Sequence, residues 1–478
     1  MFNNSIWLKG IKTKANKKVT QDLETDILIV GGGITGLTTA YFLKNKKVIL
    51  IDKDKIGYGK TAFSTGKITY LQDNLLKGNK EKENLYLQSQ IEAINIIKNI
   101  VIENNIKCDY ESNLSFLYAT NKKERKKIKK IEKILLRNNI SYKVKENNNL
   151  YNSIYSIKVD DTAVINPVKY MLELKNILAK EIDIYENSIA TDYEFIENRF
   201  KVKVNNNYIT SKILIVATHY PFSMSLGLVP FKTHIEKSFL AAMNVDKNKK
   251  FNAISQNGNH SIRFYTKSQD DYMVYCSVSN RLSKNIDNEK LVKNLLWEIK
   301  SRFNNKVKYI WSNTDIMSSD SIPLSGRLNK NLYIATGYST WGLTNGTISA
   351  KVISDLIIGL DNKYTSLLDP NRMSNIVNLI VNNMKIAKTY ILSKTIKEYS
   401  FYKRNVNVYI ENGIRYGKYI DDKNVEHIVY NKCPHMKCNL IFNFMDKTWD
   451  CPCHASRFDI DGNVISAPAN YSIKVEKK

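Results

Sequence analysis

The sequence contains no run that approaches the ~20 uninterrupted apolar residues a membrane helix needs, and it has only six cysteines in 478 residues. The first absence excludes a helical membrane protein, and the second excludes a disulfide-built scaffold. Residues Met1 to Thr20 mix Asn, Lys and scattered apolar residues with no continuous apolar core, so they do not read as a secretory signal, and a cytoplasmic location is the expectation. No internal repeat and no low-complexity linker interrupts the chain. Acidic residues are in deficit: 46 Asp and Glu stand against 72 Lys and Arg, a formal net charge of +26. Such an excess raises nucleic acid or an anionic membrane surface as partners. The lysines are dispersed beside abundant Asn and Ile, however, and the one dense run, Lys122 to Lys130, reads as the solvated face of a helix. No nucleic-acid-binding motif accompanies the charge, so neither nucleic acid nor a transmembrane segment is expected.

What is present is an ordinary globular composition, 43% apolar and 25% charged, on a chain long enough for two or more domains. Asp26 to Val30 is a short apolar run ending in Gly31-Gly32-Gly33-Ile34-Thr35-Gly36. A helical pattern follows, with Leu37, Ala40, Tyr41 and Lys44 on one side, and Lys47 to Asp52 reads as a second buried strand. Strand, glycine turn, helix and strand form a βαβ unit. In Gly31-x-Gly33-x-x-Gly36 the first glycine permits a tight turn, the second admits a pyrophosphate to the backbone, and the third lets helix and strand pack closely. The helix N-terminus offers its free N–H groups to the phosphates. Asp52, 21 residues after Gly31, ends the second strand where a carboxylate can bind ribose hydroxyls and would repel a 2′-phosphate. Further along, Glu81 to Asn105 reads as a long amphipathic helix, and Asn166-Pro167 opens another. Ile213 to Ala217 and Leu332 to Thr336 read as buried parallel strands. Ser374 to about Ser400 reads as a connecting helix, followed by strand-like runs such as Asn405 to Ile410.

Cys108 and Cys276 stand alone, whereas Cys433, Cys438, Cys451 and Cys453 crowd together. Cys433-x-His435 is followed after fifteen residues by Cys451-x-x-His454. Two thiolates for one iron and two imidazoles for the other make a Rieske ligand set. Two Cys and two His also make a tetrahedral zinc site, which leaves the extra pair Cys438 and Cys453 unexplained.

Other segments carry a resemblance. Gly57 to Lys67 (GYGKTAFSTGK) and Ala335 to Thr347 (ATGYSTWGLTNGT) resemble the D-amino-acid-oxidase-like FAD oxidoreductases, the second segment resembling their flavin-covering motif. Ser5-Ile6-Trp7, Ala217-Thr218-His219-Tyr220-Pro221, Asp320-x-x-Pro323 and Asp369-Pro370-Asn371-Arg372 extend the likeness over most of the chain. With the cysteine cluster, the whole resembles the bacterial subfamily of such oxidoreductases that carries a C-terminal Rieske domain. The resemblance implies a Rossmann-type α/β FAD-binding domain, an inserted α+β antiparallel substrate domain and a small all-β Rieske domain. The implied boundaries are 1–372 for the oxidoreductase, 373–400 for a helical linker and 401–478 for the Rieske domain. Within the first part, FAD-binding segments fall at about 22–70, 160–220 and 312–372, and substrate segments at about 71–159 and 221–311. It also implies FAD lined by Gly31, Gly33, Gly36, Asp52, Thr61 and Gly66, with Gly337, Trp341, Gly342 and Thr344 near its ring. The [2Fe–2S] cluster falls to Cys433, His435, Cys451 and His454, and a disulfide to Cys438 and Cys453. Ala467-Pro468-Ala469 stands where the Rieske family has its cover loop. Two features depart from the family: Lys437 and Ala455 replace the usual glycines, and the linker is short. A disulfide also sits uneasily with a cytoplasmic address.

The activity expected is dehydrogenation of a small amine, amino acid or related substrate, with electrons passing singly to the Rieske centre and on to an unidentified acceptor. Arg263 is the candidate for a substrate carboxylate, and His219 and Tyr338 are candidate polar groups near the flavin ring. The alternative is an electron-transfer component with no organic substrate of its own. Ser456 keeps a hydroxyl after the second His, whereas Phe458 stands where high-potential Rieske proteins have Tyr. This suggests a potential below the top of the range of roughly −150 to +300 mV.

Overall fold

The strand that runs into the glycine turn lies inside a parallel ladder, covered on both faces, which is why it reads as an unbroken apolar run. The computed structural model describes residues 5–11, 13, 16–148, 152–223, 226, 229–246, 249–267, 270–277, 280–281, 288–373, 376–395, 405–444, 446–453, 456–466, 468–469 and 471–475. Its first sheet has the strand order Leu324–Asn329, Leu332–Thr336, Asn207–His219, Leu23–Val30, Val48–Ile51 and Asp183–Tyr185. All neighbours in that order are parallel except the outermost pair, Leu324–Asn329 with Leu332–Thr336. Strand alternation sends Ile27 and Ile29 to one face and Leu28 and Val30 to the other, each into its own apolar core. The helix Ile34–Leu43 departs from the one-sided pattern read in the sequence: Ile34 to Ala40 and Leu43 are all buried, because the helix Gly342–Ile358 packs against it.

Among the described residues a second sheet of ten strands holds the intervening segments, mostly in antiparallel pairs. Its longest ladder joins Thr233–Asn244 to Val307–Ser318, from Thr233 opposite Ser318 to Met243 opposite Val307. This ladder shifts one expected junction. Residues 312–318 belong to the second sheet, since nothing in the pairing breaks at residue 311. Likewise the strand Ser153–Val164 continues past the junction expected at about 159, with a register shift between its pairs Val159–Ser115 and Thr162–Asn113.

Three of the helices start at an Asn. Asn79 accepts from the N–H of Lys82, Asn121 from that of Glu124, and Asn166 from those of Val168 and Lys169. In Lys122–Arg137 the residues Ile128, Ile131, Ile134 and Leu135 turn inward and most of the lysines turn outward. The connecting helix spans Ile376–Thr395. Two small sheets follow, one of Val406–Glu411, Ile414–Ile420 and Glu426–Tyr430, the other of Ile441–Asn443, Thr448–Asp450, Arg457–Phe458 and Val464–Ser466. They close on a core of Trp449, Phe442, Phe458 and Tyr419 that also contains the four clustered cysteines. Among the described residues no helix is long and apolar enough to cross a membrane.

Candidate active site and iron–sulfur centre

The carboxyl ends of the parallel strands open into a cavity of about 640 Å³. Gly31, Gly33, Asp52, Thr61 and Gly66 line it, as do Trp341, Gly342 and Thr344. Asp52 ends its strand with both carboxylate oxygens engaged: Oδ2 accepts from the Gly32 N–H at 2.7 Å and Oδ1 from that of Asp54 at 2.8 Å. Burial pushes its carboxyl up to about 6, against the pull of those two N–H groups. Gly36 and Gly337 are not on the wall. A Cβ on Gly36 would stand 1.8 Å from the Gly31 carbonyl oxygen, so its hydrogen lets the helix close against the glycine turn. Gly337 takes φ +73° in the bend that follows Leu332–Thr336.

Buried polar groups hold the second glycine-containing segment in place. Asn345 donates to the Tyr338 carbonyl at 2.8 Å and accepts from Gln90, while Gln72 bonds Gln90, Tyr86 and Thr344. Trp341 donates its indole N–H to Asp73 at 3.1 Å. The Tyr338 hydroxyl meets Thr35 Oγ1 at 2.7 Å, so this cavity-lining residue ties the segment to the first helix. The N-terminal segment braces the loop opposite: the Trp7 indole donates to the Ser64 carbonyl and Ser5 to that of Ala62.

Arg263 does not reach the cavity. Its Nη1 donates to the carbonyls of Thr65 at 2.8 Å and Ile165 at 2.7 Å, and the guanidinium lies against the rings of Trp7 and Tyr265. A Cβ on Gly66 (φ +70°) would stand 2.0 Å from that nitrogen, so the loop rests directly on the arginine. Strand alternation sends Arg263 under the loop, where backbone occupies Nη1 alone while Nε and Nη2 are buried without a hydrogen-bond partner. His219 does line the cavity. It sits at φ +67° with its carbonyl accepting from Thr336, its Nε2 is buried without a hydrogen-bond partner, and burial with nearby Lys60 lowers the imidazole to about 3.

The wall formed by the antiparallel sheet carries charges that local sequence patterns did not single out. Lys67 bonds Ser261 and is lowered to about 8 by burial. Glu236 and Asp315 stand directly opposite each other in the ladder, and burial raises Asp315 to about 6. Lysine after a glycine loop and acids on alternating strands give no local signal. Only the register puts them on one wall.

In the C-terminal part Cys433 and Cys451 are buried, and Cys438 is joined to Cys453 with a Cα separation of 6.7 Å. The sulfurs of Cys438, Cys451 and Cys453 lie within 4.8 Å of one another. The Cys433 thiol is lowered to about 6 by the Cys451 sulfur, with the Ser456 hydroxyl and the N–H groups of His435 and Met436 adding to it. Burial lowers the His435 imidazole. Lys437 takes φ +57°, the left-handed conformation a glycine adopts freely, at a cost of about 1–2 kcal/mol. His454 and Ala455 lie outside the described residues, as does Ala467.

The two parts meet at the cavity. Arg457, Val464, Ile465, Ser466 and Ala469 complete its wall, and Lys53 donates to the Ile465 carbonyl. Beside it, Asp446 accepts from Lys237 at 2.7 Å, Arg457 at 2.6 Å and Ser312 at 3.0 Å, and Asp450 accepts from Arg457 at 3.1 Å. Burial opposes the charge on Asp446, but Lys237 and Arg457 outweigh it and hold the carboxyl below its ordinary range.

Residues 26–356 match the FAD dependent oxidoreductase family and residues 393–476 the Rieske [2Fe-2S] domain, so the chain belongs to the FAD dependent oxidoreductases and carries a Rieske domain at its C-terminal end. It is similar along its length to the putative Rieske 2Fe-2S iron-sulfur protein YhfW of Bacillus subtilis, at 27% identity over 98% of this chain and 96% of the relative. Gamma-glutamylputrescine oxidoreductase of Escherichia coli is 21% identical over 71% of this chain and 85% of its own. The fold resembles that of L-proline dehydrogenase from P. horikoshii, with a TM-score of 0.64 and 16% identity over 73% of this chain and 98% of that one. Glycine oxidase from Geobacillus kaustophilus gives the same TM-score at 13% identity, over 74% and 100%. The protein is an FAD-dependent oxidoreductase whose cofactors are FAD and a [2Fe–2S] cluster. The residues present fit both groups. The glycine turn and its helix N-terminus open on a cavity with an acid at the ribose position. The C-terminal loops offer two adjacent buried sulfurs, N–H donors aimed at one of them, and an imidazole whose neutral form burial favours.

Proposed function

We propose that the chain oxidises a small amine, amino acid or related compound in the cavity, and that the electrons leave singly through the C-terminal domain. Bound FAD supplies hydride acceptance and the cluster one-electron acceptance. Gly31, Gly33, Thr61 and Gly66 would cradle the nucleotide, Asp52 the ribose, and the turn from Trp341 to Thr344 the ring. Cys433, His435, Cys451 and His454 would hold the iron. The observation that carries the reading is the charge on the antiparallel wall. Lys67 suits a carboxylate, and Glu236 and Asp315 suit an ammonium, so one substrate with both groups finds both partners. Like charges directly opposite each other in a sheet are destabilising, and a cationic ligand relieves them. The electron-carrier alternative gives this wall no task. A cytoplasmic location and an acceptor beyond the cluster belong to the same proposal.

Anaerobic mixing with a panel of amines and amino acids tests it. Bleaching of the flavin band by compounds carrying both groups is expected, with Lys67→Met raising KM for acids more than for simple amines. A flavin that no member of the panel bleaches, but that an electron-transfer protein reduces, would favour the carrier. Asp52→Ala should weaken FAD retention by about one to two orders of magnitude, since one charge-assisted hydrogen bond contributes about 1.5–3 kcal/mol. Its iron content should not change. Flavin titration of the apoprotein checks this.

A further inference from the structure

The C-terminal domain is fastened to both sheets that wall the cavity. At the first sheet Lys53, the residue after Asp52, donates to the Ile465 carbonyl at 2.5 Å. Ile465 belongs to the strand Val464–Ser466, and all three residues of that strand line the cavity together with Asp52, Lys53 and Asp54. At the second sheet Lys237, in the strand Thr233–Asn244, donates to Asp446 at 2.7 Å and lies 3.5 Å from Asp450. Lys237 itself is not on the cavity wall. Arg457 is, and it is 7% exposed. Its Nε donates to Asp450 and its Nη2 to Asp446, while among the described residues Nη1 has no partner. A guanidinium nitrogen left unused in a buried wall suits a polar occupant of the cavity. A domain held to the Rossmann strand end and to the antiparallel sheet at once spans the space between them.

We propose that the C-terminal domain is the outer wall of the FAD site, with Arg457, the strand Val464–Ser466 and Ala469 closing over the bound cofactor, so that FAD leaves only when this domain undocks. The proposal rests on the nucleotide being sited at the glycine turn and Asp52. The domain then has a second task besides carrying the cluster. Its docking groups sit on or beside the paired strands Thr448–Asp450 and Arg457–Phe458, not on the iron-binding side chains, so the cover does not require the metal. Release through a docked wall scales with the undocked fraction, and whatever weakens docking speeds release by the same factor.

Holoenzyme is loaded with FAD, freed of excess, diluted, and followed by the fluorescence of released flavin, with iron content measured alongside. Lys237→Met should speed release about tenfold, since it removes one buried pair while Asp446 keeps Arg457. Lys53→Met breaks a more exposed contact and should speed release about threefold. Iron content should stay at the parent value in both. Lys237→Met is the deciding variant, because that side chain lines no part of the cavity and acts on FAD only through docking. Should it fail to fold, Lys237→Gln, which keeps a donor toward Asp446, takes its place. Release at the parent rate in the Lys237 variant would overturn the proposal. Faster release in Lys53→Met alone would do the same, since Lys53 would then act on the nucleotide itself. Asp52→Ala separates the two levels. If that variant holds FAD as tightly as the parent, the siting of the nucleotide fails. If it holds FAD weakly while the Lys237 variant releases at the parent rate, only the cover fails.

Discussion

Cys451→Ser should purify with its FAD in place and its iron at background, and His435→Ala should do the same. Cys451 lies in the small C-terminal core and the half-buried His435 two residues after the buried Cys433, both far in sequence from the glycine turn. Ligand loss removes a bond worth far more than any neighbouring contact, because metal-site affinity and local folding are one free energy. The effect is therefore all or none at the iron and near zero at the flavin. Iron analysis, the flavin band and EPR of dithionite-reduced protein read it in one preparation. One zinc and no iron in anaerobically prepared parent protein would end the iron reading altogether.

Asp446→Ala should produce a large loss of stability away from the cofactors. Asp446 is the common partner of Lys237, Arg457 and Ser312, and its side chain is 4% exposed while that of Lys237 is 2% exposed. Removing it leaves two buried cations sharing only Asp450. Breaking a buried pair by deleting one partner costs about 3–5 kcal/mol, mostly from the uncompensated charge left behind. Urea unfolding followed at the flavin and at the cluster should show coincident transitions in the parent. In the variant the cluster transition should come first. Coincident transitions at the parent midpoint would mean that the network contributes nothing to docking.

Much of this arrangement is legible in the sequence where the signal is local. The glycine turn announces itself because three glycines, two apolar runs and Asp52 fall within about thirty residues, each with its own steric or electrostatic task. The cysteines are legible for the same reason. The helix starts at Asn79, Asn121 and Asn166 are legible because a cap acts on its nearest neighbours. Long-range geometry is not legible. Arg263 sits on a strand whose alternation says that it points to one face or the other, but not that the Gly66 loop lies on that face. Glu236 and Asp315 are 79 positions apart, and only the ladder register sets them opposite each other. The junctions expected at 159 and 311 fall inside strands for a related reason. Sequence likeness marks where a family segment begins, whereas backbone pairing continues as long as its partner does.

The four-charge cluster also limits how this chain could be recombined. In sequence the two parts look separable, with a single helix between them and a distinct family likeness for each. Electrostatically they are not. Lys237 belongs to the first part and Asp446 and Asp450 to the second, where Arg457 balances only one of the two acids, so each part alone is left with one charge that the other offsets. A chimera that grafts another Rieske domain onto this oxidoreductase inherits Lys237, and a graft lacking acids at the Asp446 and Asp450 positions would bury that ammonium without the counter-ions it has here. Exchange of the iron–sulfur module is thus constrained by side chains some two hundred residues from the cysteines that define it. In a lineage the two positions would have to change together.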